Sequence, residues 1–175
     1  MGWRIATGRR PWIIALILAA VVTGASACSS RAPTGRAPLV DGASVPVTKV
    51  TDGDTIHVTY EGSDERVRFI GINTPEVDWY GGAAQCYGSQ AGLYTRSRLD
   101  GRSVTLVFDV AKRDRYGRLL AYVYVGTELL NLTLVRLGYA TPDPVPPDTR
   151  MAPTFKVAEG AAHDAGRGLW AACPT

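Results

Sequence analysis

Arg66-Val67-Arg68-Phe69-Ile70-Gly71-Ile72-Asn73-Thr74-Pro75-Glu76 is the stretch on which the rest of the chain turns. Val67, Phe69, Ile70 and Ile72 are strand formers. Pro75 cannot donate a ladder hydrogen bond and pushes Thr74 toward an extended conformation, so the strand is expected to run from Val67 to Ile72 and stop. The segment carries a guanidinium, an amide oxygen, a backbone carbonyl and a carboxylate within a few residues. Alone, it reads equally well as an amphipathic strand with an exposed arginine and a polar turn.

Two other segments change that balance. Asp52-Gly53-Asp54-Thr55 precedes a strand-like run, Ile56 to Tyr60; Asp-Gly is also ordinary hairpin punctuation. Asp114-Arg115-Tyr116-Gly117-Arg118 precedes Leu119 to Val125. Each motif is weak by itself. In the order D-G-D-T, R-F-I-G-I-N-T-P-E, D-R-Y-G-R, the chain resembles the thermonuclease (staphylococcal-type nuclease) family across roughly residues 45 to 170.

The residue chemistry agrees. Cleaving a phosphodiester needs a hard cation at a non-bridging oxygen, a base to activate water, and cationic donors for the charge that builds at phosphorus. Hard cations take oxygen ligands, and Asp54, Asn73 and the Thr74 carbonyl can supply them. Arginine donates two parallel bonds to phosphate, which makes Arg68 and Arg118 the candidates. Glu76 is the carboxylate on the same turn left to act as base. The resemblance implies these same roles, with Ca²⁺ as the metal and Asp52 hydrogen-bonded to water on it.

Residues 1–28 read as a targeting segment. Arg4, Arg9 and Arg10 precede an apolar run, Trp12 to Val22, too short to span a bilayer comfortably. Ala25-Ser26-Ala27 is a cleavage-type sequence before Cys28. It fits ordinary secretion, and it also resembles a bacterial lipoprotein box with lipid at Cys28, although Ala25 stands where Leu or Val is usual. The expected product is bacterial and exported: a surface lipoprotein, whose only membrane contact is the lipid, or a released protein. The formal charge of +3 is accounted for by those three arginines, leaving sixteen basic and sixteen acidic side chains from Cys28 onward. Nucleic-acid binding must therefore rest on local clusters, and Lys112, Arg113, Arg115 and Tyr116 beside Arg118 form the clearest.

Residues 29–44 are small, polar and Pro-rich, a flexible linker. Residues 45–175 then make one domain. Strands are expected at Val45–Val50, Thr55–Tyr60, Val67–Ile72, Val104–Val110 and Leu119–Val125. Helices are expected at Gln90–Leu99 with Ser89 as N-cap, at Leu129–Leu137, and from Pro153 to Ala165. Short strands with inserted and appended helices suggest a small closed barrel, and the resemblance makes this an α+β, OB-type five-stranded barrel with about three helices. If Cys28 is lipidated, Cys86 and Cys173 remain as an even pair in an oxidising compartment, which favours a disulfide. A loop of that length contributes about 4 to 5 kcal/mol at best in the chain-entropy model. His57 and His163 match no metal spacing, and the sequon Asn131-Leu132-Thr133 falls within an expected helix.

Two departures from the family pattern stand out. Asn73 occupies the site of a second metal-binding Asp, and Thr141-Pro142-Asp143-Pro144-Val145-Pro146-Pro147 lacks the tyrosines that usually pack against the nucleotide. Base stacking is worth about 1 to 3 kcal/mol per base, so affinity and end preference should differ. The expected activity is a Ca²⁺-dependent, sugar-nonspecific endonuclease, a monomer acting on DNA and RNA and leaving 3′-phosphates. The competing class is a non-catalytic OB-fold surface protein that binds single strands. Retention of Asp54, Arg68, Glu76 and Arg118 speaks against it, because a binder needs no base.

Overall fold

The β-branched runs pair as a meander. Ala43–Val50 (β1) lies antiparallel to Thr55–Tyr60 (β2), and β2 to Ser63–Phe69 (β3). The register of β1 on β2 shifts between Val47 and Lys49, the mark of a bulge that bends the strand. The first half of β1 thereby turns away to pair with Ser103–Val107 (β5). β5 pairs with Leu119–Val125 (β6), and β6 returns in parallel to β3, with Arg68 opposite Leu120. That last pairing closes a five-stranded barrel. Ile56, Val58, Val67, Leu106, Leu119 and Val123 fill it and are completely buried. This is the expected α+β, OB-type architecture.

The fold comes from a computed structural model that describes residues 1–2, 39–78 and 84–173. The expected targeting segment beyond its first two residues, Cys28 and most of the linker lie outside the described residues. The chain divides into two units, Met1–Arg36 and Ala37–Thr175, the second of which holds every described strand and helix. β1 begins two residues before the expected Val45. Ahead of it, Asp41 Oδ1 accepts a hydrogen bond from Phe108 N and the Leu39 carbonyl accepts one from Lys112 Nζ, so part of the expected linker is tied to the barrel.

The strand expected at Val67–Ile72 is two strands. β3 stops at Phe69, and a short strand, Gly71–Asn73 (β4), leaves in another direction. Gly71 sits at φ +75°, and a Cβ there would come within 2.8 Å of the Phe155 ring. Glycine is needed for both reasons. Asn131, fully buried, holds the break: its Oδ1 accepts from Val123 N at 2.9 Å and its Nδ2 donates to the Ile70 carbonyl at 3.0 Å. The sequon asparagine is therefore an internal brace.

The helices pack outside the barrel. Gly88–Leu99 (α1) starts earlier than expected, after Tyr87 in a left-handed conformation, and Ser89 is inside it rather than capping it. β5 ends at Val107, short of Val110, because Phe108 N turns to Asp41. After β6 come a two-residue strand, Glu128–Leu129 (β7), then Leu130–Arg136 (α2). Thr141–Asp143 (β8) pairs antiparallel with β4, Asn73 opposite Thr141 and Gly71 opposite Asp143. Ala152–Asp164 (α3) buries Phe155 against Tyr122, and Leu169–Ala172 (α4) closes the described chain. Burial of such a ring stabilises by roughly 1.5–3 kcal/mol. Cys86 and Cys173 are joined by a disulfide. His57 pairs with Asp64 and His163 packs edge-on against Trp170.

Candidate active site

The D-G-D-T turn joins β1 to β2 and packs against the exit of β4. Gly53 is there for close approach rather than for an unusual φ, since a Cβ would meet Thr74 Cγ2 at 2.7 Å. Asp52 Oδ1 accepts from Asp54 N at 3.0 Å. From the helix side, the fully buried Thr95 donates to the Gly53 carbonyl at 2.7 Å. Replacing Thr95 by Val keeps the shape and removes that donor. The expected cost is about 1–3 kcal/mol for a buried carbonyl losing its partner, read as a lower urea midpoint with an unchanged slope; an unchanged midpoint would remove Thr95 from the turn's support.

Asp54 is buried, with 3% of its surface exposed. Its Oδ2 accepts from Thr74 N at 2.7 Å and from Thr74 Oγ1 at 3.0 Å, and its Oδ1 from Thr55 Oγ1 at 3.2 Å. Asp54 also pairs with Arg68, whose Nη2 donates to Asn73 Oδ1 at 2.9 Å. The guanidinium therefore lies between the two side chains expected to hold a cation. Burial works against the charge of Arg68 and shifts its pKa down, opposed mainly by Asp52, with Asp143 and Glu76 also within electrostatic reach. Burial likewise raises the Asp52 carboxyl, against the nearby Arg68.

Arg118 arrives by another route. The Asp114–Arg118 loop is closed by Asp114, which accepts from Tyr116 N and Arg118 N at 2.9 Å and from Arg118 Nε at 2.6 Å. Burial alone would raise the Asp114 carboxyl, but the Arg118 hydrogen bonds and charge outweigh it and its pKa is lowered. For a depressed carboxyl, the tether is intact above the ordinary value of 3.8 and is lost only as pH falls below it. Arg68 and Arg118 line one cleft of about 440 Å³, with Asp143, Val145, Pro146 and Pro147 along its wall.

Glu76 is exposed on the turn after Pro75. Its backbone N donates to Gln85 Oε1 at 2.9 Å, and its carbonyl accepts from Gln85 N at 3.1 Å. Gln85 has no motif to mark it in the sequence; it is recognised only by this pairing across nine residues.

The basic cluster divides. Arg113 was expected on nucleic acid, but it grips the buried Glu65 with both nitrogens, at 2.8 and 3.0 Å, and donates to the Gly117 carbonyl. It is a brace that also lines the cleft of Arg68 and Arg118. Lys112 is likewise engaged, at the Leu39 carbonyl and over the Phe108 ring. Arg115 and the 63%-exposed Tyr116 stay outside, stacked on each other at 4.8 Å.

The side-chain oxygens of Asp54 and Asn73 suit a hard cation, and both are engaged by Arg68. Among the described residues no three His, Cys, Asp or Glu side chains gather to hold one. A cation here would take the place Arg68 holds between the Asp54 carboxylate and the Asn73 amide, with Thr74 bonded to Asp54 through its N–H and hydroxyl.

The model of the family described as Staphylococcal nuclease homologue matches residues 66–172. The chain belongs to that family. It is 37% identical over 131 residues to the Thermonuclease of Staphylococcus intermedius, covering 75% of this chain and 78% of that protein. It is 35% identical over 124 residues to the Thermonuclease of Staphylococcus hyicus, covering 71% and 73%. The SPbeta prophage-derived endonuclease YokF of Bacillus subtilis (strain 168) is 37% identical over 134 residues, 75% of this chain and 44% of that protein. The expected enzyme class, a nuclease among the hydrolases, stands with this membership, and the non-catalytic binding barrel is set aside.

Proposed function

We propose that this staphylococcal nuclease homologue is an exported, calcium-dependent endonuclease that hydrolyses DNA and RNA without regard to the sugar and leaves 3′-phosphates. The observation that carries the reading is the meeting of Arg68 and Arg118 on one cleft, with Glu76 within electrostatic reach of Arg68. In this reading the cleft takes the scissile phosphate. Arg68 donates its planar fork to non-bridging oxygens, and Arg118, held by Asp114, meets the charge that builds as the 5′ oxygen leaves. Glu76 takes the proton of the attacking water. Asp54, Asn73 and the Thr74 carbonyl would hold calcium, which adds positive charge at the phosphate, with Asp52 behind them. Phosphate arriving at Arg68 competes with Asp54 and Asn73 for the guanidinium and so frees their oxygens. The cleft wall of Val145, Pro146 and Pro147 offers no stacking ring, so grip falls mainly on phosphate and base preference is weak. Export ends either in a lipid at Cys28 or in release, and the protein acts as a monomer.

The test is digestion of single- and double-stranded DNA and RNA by the purified protein, with calcium and with chelator. Cleavage of all four, abolished by chelator and leaving 3′-phosphate ends, is expected. Binding without cleavage in any calcium concentration would overturn the proposal.

Asn73 tests the ligand set separately. With Asp54 as the one carboxylate at the cation, affinity should be of the extracellular kind, roughly 10⁻⁴ to 10⁻³ M. Asn73→Asp is nearly isosteric and restores a charge, so calorimetric titration with a nucleotide inhibitor present should show tighter calcium binding. Equal or weaker binding removes Asn73 from the ligands.

A further inference from the structure

We propose that Gln85 is the positioning residue of Glu76, and that the Cys86–Cys173 disulfide holds Gln85 in place, so that turnover depends on oxidation of this cysteine pair. The inference rests on the reading of Glu76 as the base. Glu76 and Gln85 exchange two hydrogen bonds, Glu76 N to Gln85 Oε1 and Gln85 N to the Glu76 carbonyl. Gly88 N in turn donates to the Gln85 carbonyl at 2.9 Å. The backbone of Glu76 is pressed so closely on the start of α1 that a Cβ at Gly88 would lie 2.1 Å from the Glu76 carbonyl oxygen. Both Glu76 and Gln85 are exposed, and hydrogen bonds open to water hold weakly by themselves.

What fixes the pair is covalent. Cys86 follows Gln85 directly and is bonded to Cys173, 87 residues later in the chain. That far end is anchored: Leu169 N donates to the Gly138 carbonyl at 2.8 Å, Cys173 N donates to Leu169, and a Cβ at Gly168 would collide with the Gly138 carbonyl. The disulfide therefore links the segment beside Glu76 to the turn after α2. Asn73, Pro75, Gln85, Cys86, Thr141 and Cys173 share the lining of one cleft of about 300 Å³, which puts the disulfide and the catalytic turn on the same opening. Cys86 is exposed there, open to thiol reagents.

Closing the bond takes two electrons and two protons from the two thiols and passes them to a protein or small-molecule disulfide, which leaves as two thiols. Before export, in a reducing compartment, the pair is open and Gln85 is released. The nuclease is then slow where the cell's own nucleic acid lies and becomes competent after oxidation.

The experiment uses the full chain with calcium and a DNA substrate. The oxidised wild type is compared with the same protein after dithiothreitol, and with oxidised Gln85→Ala and Gln85→Glu. Reduction and Gln85→Ala should each lower kcat on the order of 10²-fold, the loss that a misplaced catalytic group brings, with KM unchanged. Gln85→Glu keeps an acceptor for Glu76 N–H and should recover most of the loss. Because the reduced chain could lose its fold, circular dichroism accompanies each rate, and Gln85→Ala, whose disulfide is intact, decides. Wild-type kcat in folded, oxidised Gln85→Ala overturns the inference and leaves the base assignment standing. No cleavage by the oxidised wild type takes both down.

Discussion

Glu76→Gln should lower kcat by about 10²- to 10⁴-fold, the usual contribution of a general base, while circular dichroism and melting temperature stay at wild-type values. The fold should tolerate it because Glu76 is exposed and its structural bonds to Gln85 include only its backbone N–H and carbonyl. The amide also retains the shape of the side chain, so KM should move little. Single-turnover rates on a short DNA duplex with saturating calcium are the measurement. Wild-type turnover in the variant would transfer the base to another group.

Arg113→Met should act chiefly on stability. Glu65 is 3% exposed, and Arg113 meets it with two bonds across 48 residues of chain. Removing one member of a buried pair costs roughly 3–5 kcal/mol; the lower figure is expected, because the Arg113 side chain retains 21% exposure. Methionine keeps much of the stem's packing, so the loss reports the charge pair. Urea unfolding should show it as a lower midpoint. The salt dependence of DNA binding should not change. An unaltered midpoint, together with a salt slope reduced by about one, would return Arg113 to the phosphate-binding surface.

That contrast shows where the sequence is readable. Thr55–Tyr60 and Leu119–Val125 can be placed to the residue, because β-branched and aromatic runs bounded by turn residues mean little else. Asp54, Arg68, Asn73 and Thr74 meet, with Arg68 bonded to the two side chains that the motifs suggest for a cation. Arg113, Arg115 and Arg118 look alike within one charged run, since nothing local states that Glu65 lies opposite the first. The break at Gly71 is concealed because Ile70-Gly71-Ile72 continues an apolar run; its cause, Phe155 and Asn131, lies 60 to 84 residues away. Asn131 carries a surface signature and is buried. Gln85 meets Glu76 across nine residues of chain, and no local pattern marks that contact.

The barrel's parallel closure has a bearing on how activity arises during folding. β1, β2 and β3 can associate through short hairpins, whereas β3 meets β6 only after about fifty residues of chain have been looped out. Contacts of that separation must overcome loop entropy before they contribute. Arg68 lies on β3 and Arg118 directly precedes β6, so the two cationic arms of the cleft meet at this late seam. A nascent or partly folded chain can hold most of its hairpin structure without yet being a nuclease.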